Sequence, residues 1–115
     1  LPADARYGVE LVFEEIVANI LRHGAPDAAL APPAVAVAVD VADDAIVMTF
    51  DDDGPPFDPC GRADPVPASS LADAEPGGLG LMMVRRAAKE MVYRRIPERG
   101  NRLVVTIATR SPTKN

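Results

Sequence analysis

The chain has 115 residues, a formal net charge of -5 and a pI near 4.7. That acidity argues against nonspecific nucleic-acid binding, which needs a basic surface, and leaves room for a small anionic ligand held in a local pocket. No apolar run is long enough to span a bilayer, Cys60 is the only cysteine and so excludes an internal disulfide, and Leu1-Pro2-Ala3-Asp4 lacks the basic-then-apolar pattern of a secretory signal. The length fits one domain, residues 1–115, and the cytoplasm is the default compartment.

Residues 4 to about 22 predict a helix, because Val9, Val12, Phe13, Ile16, Val17 and Ile20 recur at helical spacing. Gly24 and Pro26 are expected to end it. After an Ala- and Pro-rich connector, Val35, Val37, Val39 and Val41 alternate with smaller or polar residues, which predicts a strand. Asp43-Asp44 reads as a turn and Ala45 to Phe50 as the second arm of an antiparallel hairpin. Residues 53 to 77 hold many prolines, glycines and small polar residues, with one short helical turn at Ser69 to Ala74. So long an irregular segment in a small domain is usually functional or disordered. Helix returns from Gly78 to about Met91, with Leu79, Met82, Met83, Ala87 and Met91 available to a core. Met91 to Ile96 and Leu103 to Thr109 read as strands, joined by a turn over Pro97 to Asn101. The order predicts an α+β two-layer sandwich, a mostly antiparallel sheet with helices on one face.

Three segments hold residues that can carry chemistry. Glu15 and Asn19 stand one helical turn apart on one face. Asn offers a neutral oxygen suited to Mg²⁺, and Glu can polarise a water or hydroxyl beside it. Alone, such a pair reads as an ordinary solvated face. Asp51-Asp52-Asp53-Gly54 ends an apolar strand. A carboxylate there can accept a hydrogen bond from an exocyclic amine, and Gly54 lets the backbone approach a flat base. Alone, it reads as an acidic surface turn. Gly77-Gly78-Leu79-Gly80 opens the second helix, where freed amides and the helix dipole favour phosphate oxygens. Arg85 and Arg86 read mainly as a solvated basic face, His23 as a packed helix-end residue, and Cys60 as incidental.

Taken in order, Glu15-x-x-x-Asn19, Asp52-x-Gly54 and Gly78-x-Gly80 resemble the N, G1 and G2 boxes of the GHKL, or Bergerat-fold, ATPases. Asn19-Ile-Leu-Arg-His23-Gly24, the proline-rich run after Asp53, Gly77-Gly-Leu-Gly-Leu81-Met-Met-Val-Arg85 and Gly100-Asn101-Arg102-Leu103 are similar to the anti-sigma factor serine/threonine kinase branch. The resemblance spans nearly the whole chain. It implies a histidine-kinase-like ATPase fold and an enzyme that uses ATP and Mg²⁺. Glu15 would be the general base and Asn19 a nucleotide-site residue and Mg²⁺ ligand. Asp52 would take the adenine amine, with Gly54 beside the base. Gly78, Leu79 and Gly80 would cradle phosphates under a lid formed by residues 60 to 77. The implied partners are a sigma factor and a STAS-type anti-anti-sigma protein phosphorylated on serine or threonine, with no direct contact to nucleic acid or membrane.

Two departures stand out. Pro56 occupies the position where many relatives carry a second G1 glycine, which removes a backbone donor. Relatives usually carry a strand and helix before the N-box helix, which here starts almost at Leu1; either those first elements lie outside this sequence or a partner subunit supplies that edge, and an open sheet edge would favour a homodimer. Two other functions compete with the kinase: a regulatory module that binds nucleotide or partner without catalysis, and a histidine-kinase ATPase domain detached from its dimerisation helices. No phospho-acceptor helix is visible for the latter.

Overall fold

Four segments rich in β-branched and apolar residues, the first with valine at every second position, are extended, and their apolar faces need a common cover. In the computed structural model, which describes residues 3–25, 31–61 and 78–109, these segments are β1 (Val35–Val41), β2 (Ala45–Asp52), β3 (Glu90–Ile96) and β4 (Gly100–Ala108). They form one antiparallel sheet in the order β1-β2-β4-β3. The chain makes two hairpins, β1–β2 and β3–β4, and zips them together along β2 and β4.

Residues paired across antiparallel strands share a face. Ile46 lies opposite Ile107, Met48 opposite Val105 and Phe50 opposite Leu103, and all six are buried. Helices α1 (Ala3–Gly24) and α2 (Gly78–Ala87) cover that face, with Ala5, Val12 and Ile16 of α1 and Leu81 and Val84 of α2 completing the core. Gly8 faces β4, where an added Cβ would make ordinary contact with Ile107 at 3.6 Å. The expected α+β architecture is present, and every strand pairing among the described residues is antiparallel.

Several local expectations need correction. Phe13 has the right spacing for the core but is 45% exposed, because Val12 and Ile16 already fill the stripe against the sheet. In α2 the buried positions are Leu81 and Val84, while Leu79 and Met83 face outward. The helix is phased by Gly80, which sits against α1. It also stops at Ala87, short of Met91: Ala88 N still bonds Val84 O, but Lys89 N turns to Thr106 O at 2.7 Å, and sheet pairing takes over. β2 runs on through Asp52, so Asp51 and Asp52 are strand residues opposite Arg102 and Asn101. The β3–β4 turn is correspondingly tighter than predicted, Pro97 to Arg99, and Asn101 is already in β4. Gly24 is the last residue of α1 and has no positive φ; its missing side chain matters because a Cβ would lie 2.5 Å from Pro33 Cγ. The short helical turn at Ser69 to Ala74 and most of the expected lid lie outside the described residues.

Candidate functional site

α1, the end of β2 and the start of β4 meet at one end of the sandwich. Asn19 is 2% exposed on the inner face of α1. Its Nδ2 donates to the Glu15 carbonyl at 2.8 Å, leaving Oδ1 as the acceptor end, met by Arg22 Nη1 at a long 3.4 Å. Burying an amide this deeply is costly without partners. The residue predicted as a metal ligand is thus fixed in rotamer, with a weakly engaged oxygen.

Glu15 projects one turn earlier, toward α2. Its Oε1 lies in the space a Cβ on Gly80 would need, and its Cδ would be only 2.7 Å from that atom. Gly80 is therefore small because a carboxylate lies against it, a second reason beyond the exposure of its amide. The first turn of α2, Gly78 to Gly80, is where N–H groups lack intrahelical partners. The fold brings the predicted base to the predicted phosphate cradle. Leu79, between the two glycines, is 40% exposed and can contribute only its backbone to that cradle. Gly77 is outside the described residues.

Asp52 stands across the cleft, half-buried. Its Oδ1 accepts from Gly54 N at 2.8 Å and from Asn101 Nδ2 at 3.0 Å. Gly54 is buried, and a Cβ there would lie 3.0 Å from that same Oδ1 and 3.7 Å from Gly24 Cα. The tight approach is to the Asp52 carboxylate, while the distance to α1 is ordinary van der Waals contact. Asp53 is engaged differently, accepting from Ala34 N at 2.8 Å, and ties the loop to β1.

Between Asn19 and Asp52 lies a narrow pocket of about 30 Å³, room for little more than a water molecule. Ile16, Ile20, Leu103 and Pro59 supply apolar walls; Asn19, Asp52, Tyr93 and Asn101 supply polar edges. His23 and Phe57 stack with ring centroids 3.8 Å apart and form another wall. His23 thus packs at the helix end, as expected. The chemistry of these walls and of the Asp52 carboxylate suits a flat heterocycle with an exocyclic amine, whose entry requires the narrow pocket to widen.

Sequence reasoning missed Asn101, Tyr93 and Phe57. Asn101 carried a motif match but no assigned role, and Gly-Asn dipeptides ordinarily mark turns. Gly100 has φ 143°, and a Cβ on it would overlap the Asp52 carbonyl, so it seats Asn101 beside Asp52. Cys60 lies in a single 3-10 turn, Pro59–Gly61, behind the cavity. Burial, then the Asp58 charge and hydrogen bond, push its thiol up from the ordinary value, which makes it a poor nucleophile. Arg85 Nη1 donates to Pro59 O at 3.2 Å, so α2 holds this turn in place.

No group of three His, Cys, Asp or Glu side chains suited to a metal ion occurs among the described residues. Mg²⁺ is commonly held by one or two protein oxygens plus phosphates and water. Asn19 Oδ1 fits that donor set, with Glu15 one turn away. No helix among the described residues is long and apolar enough to cross a membrane.

Among curated proteins, none matches the chain. A family model described as histidine kinase-like ATPase domain matches residues 1–107. The order of a buried Asn helix, a strand-end Asp with its Gly and a glycine-opened helix packed against the Glu15 carboxylate agrees with that match. The chain belongs to the histidine kinase-like ATPase domain family, which contains the anti-sigma factor kinases, and it is an ATP-binding, kinase-like module.

Proposed function

We propose that this domain is an ATP- and Mg²⁺-dependent protein serine/threonine kinase that also acts as an anti-sigma factor. It would hold a sigma factor inactive until a STAS-type anti-anti-sigma protein displaces it, and would phosphorylate that protein on a serine or threonine. ATP and sigma factors share the cytoplasm, which is where this exchange belongs. The observation that carries the reading is the Glu15 carboxylate against Gly80, at the first turn of α2, with buried Asn19 one helical turn on. A domain that only held nucleotide would need the cradle but no carboxylate beside it.

In this mechanism, the adenine amine donates to Asp52 and the base lies against Gly54 and the apolar walls. Amides of Gly78, Leu79 and Gly80 receive phosphate oxygens at the positive end of α2. Asn19 Oδ1 would hold Mg²⁺, which when bound neutralises phosphate charge. Glu15 accepts the proton of the acceptor hydroxyl as its oxygen bonds to the γ-phosphorus. The bond from that phosphorus to the bridging oxygen breaks, and ADP leaves. A positioned base of this kind typically contributes about 10²–10⁴-fold in rate.

Incubating the protein with Mg-ATP and candidate STAS-domain partners, then locating phosphate by mass spectrometry, tests this reading. Phosphoserine or phosphothreonine on the partner is the expected result. ATP binding with tight partner binding and no transfer would replace it with the non-catalytic regulatory module. Phosphate on a histidine would replace it with a detached histidine-kinase ATPase.

A further inference from the structure

We propose that the valley between α1 and α2 docks the phosphate acceptor, and that it takes a protein segment with apolar side chains and an acidic residue about three positions from the serine or threonine. The inference rests on the assignment of Glu15 as the base. The two helices run antiparallel. Gly8 of α1 faces Ile107 near the end of β4, Lys89 just past α2 bonds Thr106, and Gly80 at the other end of α2 lies against Glu15. Tyr7, Leu11 and Glu15 stand four residues apart and carry the Glu15 side of α1 back by one and two turns. Leu79, Met83 and Arg86 form the outward stripe of α2. By helical rise, Leu11 lies about 6 Å below Glu15, and Met83 about 4.5 Å below Gly80 in the same direction. The two stripes flank one valley, with the Glu15–Gly80 contact at its head.

Apolar side chains in this valley stay in water. Tyr7 is 63%, Leu79 40% and Met83 43% exposed, although Ala5, Val12, Ile16, Leu81 and Val84 already fill the core stripes of both helices. Single exposed apolar residues are ordinary; here Leu79 and Met83 are neighbours on one face, and Gly80 between them touches a carboxylate. The reaction limits what can cover them. Glu15 takes a proton only from a hydroxyl within hydrogen-bond reach, so a protein presenting serine or threonine to Glu15 lies over Leu79 and Met83. Charge selects further. Arg86 and Lys89 are exposed on the α2 side, and no described residue forms an ion pair with Arg86. Glu10 and Glu14 are exposed on α1 and disfavour an acid there. Arg86 stands about 9 Å along the helix from Gly80. An extended segment spans that in about three residues, so an acid at that separation meets Arg86 while an apolar neighbour meets Met83.

The test measures initial rates of phosphate transfer from Mg-ATP to the STAS-domain acceptor as the acceptor concentration is varied. ATP affinity, melting temperature and oligomeric state are read on the same preparations. The variants are Met83→Ser and Arg86→Glu, both at exposed positions away from the proposed nucleotide contacts. Met83→Ser should raise KM for the acceptor about tenfold, the scale of burying the exposed part of a methionine, while kcat and ATP affinity stay within about twofold. Arg86→Glu should raise that KM several-fold, more at low salt than at high. Replacing the acceptor's acid with lysine should restore it. An acceptor KM unchanged in both variants, with transfer intact, would overturn the docking inference alone. Weakened ATP binding in Met83→Ser would assign the stripe to this chain's own cover over the nucleotide, and loss of a wild-type dimer would assign it to a second copy; either result overturns the inference. A wild-type protein that binds ATP and the acceptor but transfers nothing would sink the kinase reading, and the docking of an acceptor with it.

Discussion

The Glu15 carboxylate occupies the space that a side chain on Gly80 would fill. This single relationship couples the helix that carries the proposed base to the helix whose first turn faces phosphate. A methyl group on Gly80 must displace Glu15 or push α1 and α2 apart. Gly80→Ala is therefore expected to cost about 1–3 kcal/mol of stability, the usual scale for overpacking. It should lower phosphate transfer more than ATP affinity, because the base moves and the adenine end does not. Thermal melts and transfer rates on one preparation check this. An alanine variant with wild-type stability and rate would mean that Glu15 swings away freely and is not held for catalysis.

Nucleotide should stabilise the fold. At free Mg-ATP about 100 times its dissociation constant, the gain is roughly 2.7 kcal/mol. For a domain of this size that corresponds to a melting shift on the order of 10 °C. GTP should shift the melt less, since the Asp52 carboxylate would face a guanine carbonyl. Differential scanning fluorimetry with both nucleotides measures the difference. A folded, nucleotide-free protein whose melt ignores millimolar Mg-ATP would count against the cavity as an ATP site.

The legible parts of this fold are those written in local periodicity. Alternating valines in β1 and the aliphatic run of β2 give the first hairpin directly, and the α1 stripe places Glu15 and Asn19 on adjacent turns. The end of α2 was not legible, because Ala88 and Lys89 are good helix formers. Only the bond from Lys89 N to Thr106 O, a tertiary event, ends the helix there. Asn101 was hidden for a similar reason. Its partners at Asp52 and Pro55 are 49 and 46 residues away, and nothing local distinguishes it from a turn asparagine. The burial of Asn19 was also unreadable, since a Glu/Asn pair fits a solvated face equally well until the sheet is laid beneath it.

The β3–β4 turn contains a removable strain. Arg99 N bonds Ile96 O at 3.0 Å, with Pro97 and Glu98 between them, and Glu98 has φ 66°. A turn with this hand at its third residue favours Gly or Asn. The left-handed conformation costs an ordinary residue roughly 1–2 kcal/mol, and glycine returns part of that through greater freedom when unfolded. Glu98→Gly should stabilise the protein by about 0.5–1 kcal/mol while leaving ATP affinity unchanged. A chemical denaturation midpoint that does not rise would show that the Glu98 side chain supplies a compensating interaction.

Cys60 should react slowly with alkylating agents. Its thiol titrates above the ordinary value because of burial first and Asp58 second. A raised thiol value leaves less thiolate at any given pH, so modification should accelerate only as pH rises past the range of a free cysteine. Asp58→Asn removes the charge and should speed alkylation at a fixed pH near 8. Mass-spectrometric labelling rates against pH, with a free thiol as reference, decide it. Labelling at the free-thiol rate in the folded protein would contradict the burial of this turn.

Catalysis and binding separate at Glu15 and Asn19. Glu15→Ala removes the proposed proton acceptor and leaves the adenine end intact, so ATP should still bind while transfer falls by about 10²–10⁴-fold. Asn19→Ala removes the only side-chain oxygen proposed to hold Mg²⁺, so the magnesium-dependent part of ATP affinity should disappear. Asn19 is also buried and bonded to the Glu15 carbonyl. Its loss should therefore lower stability by about 1–3 kcal/mol as well, through the cavity and the unpaired groups left behind. Glu15 is only partly buried and should be close to neutral in that respect. Both variants should keep partner binding if the sigma factor uses a surface away from the cleft. ATP affinity with and without Mg²⁺, melting temperature and transfer rate on the same three proteins give the pattern. Undiminished transfer in Glu15→Ala would remove the base, and magnesium dependence retained in Asn19→Ala would move the metal to other oxygens.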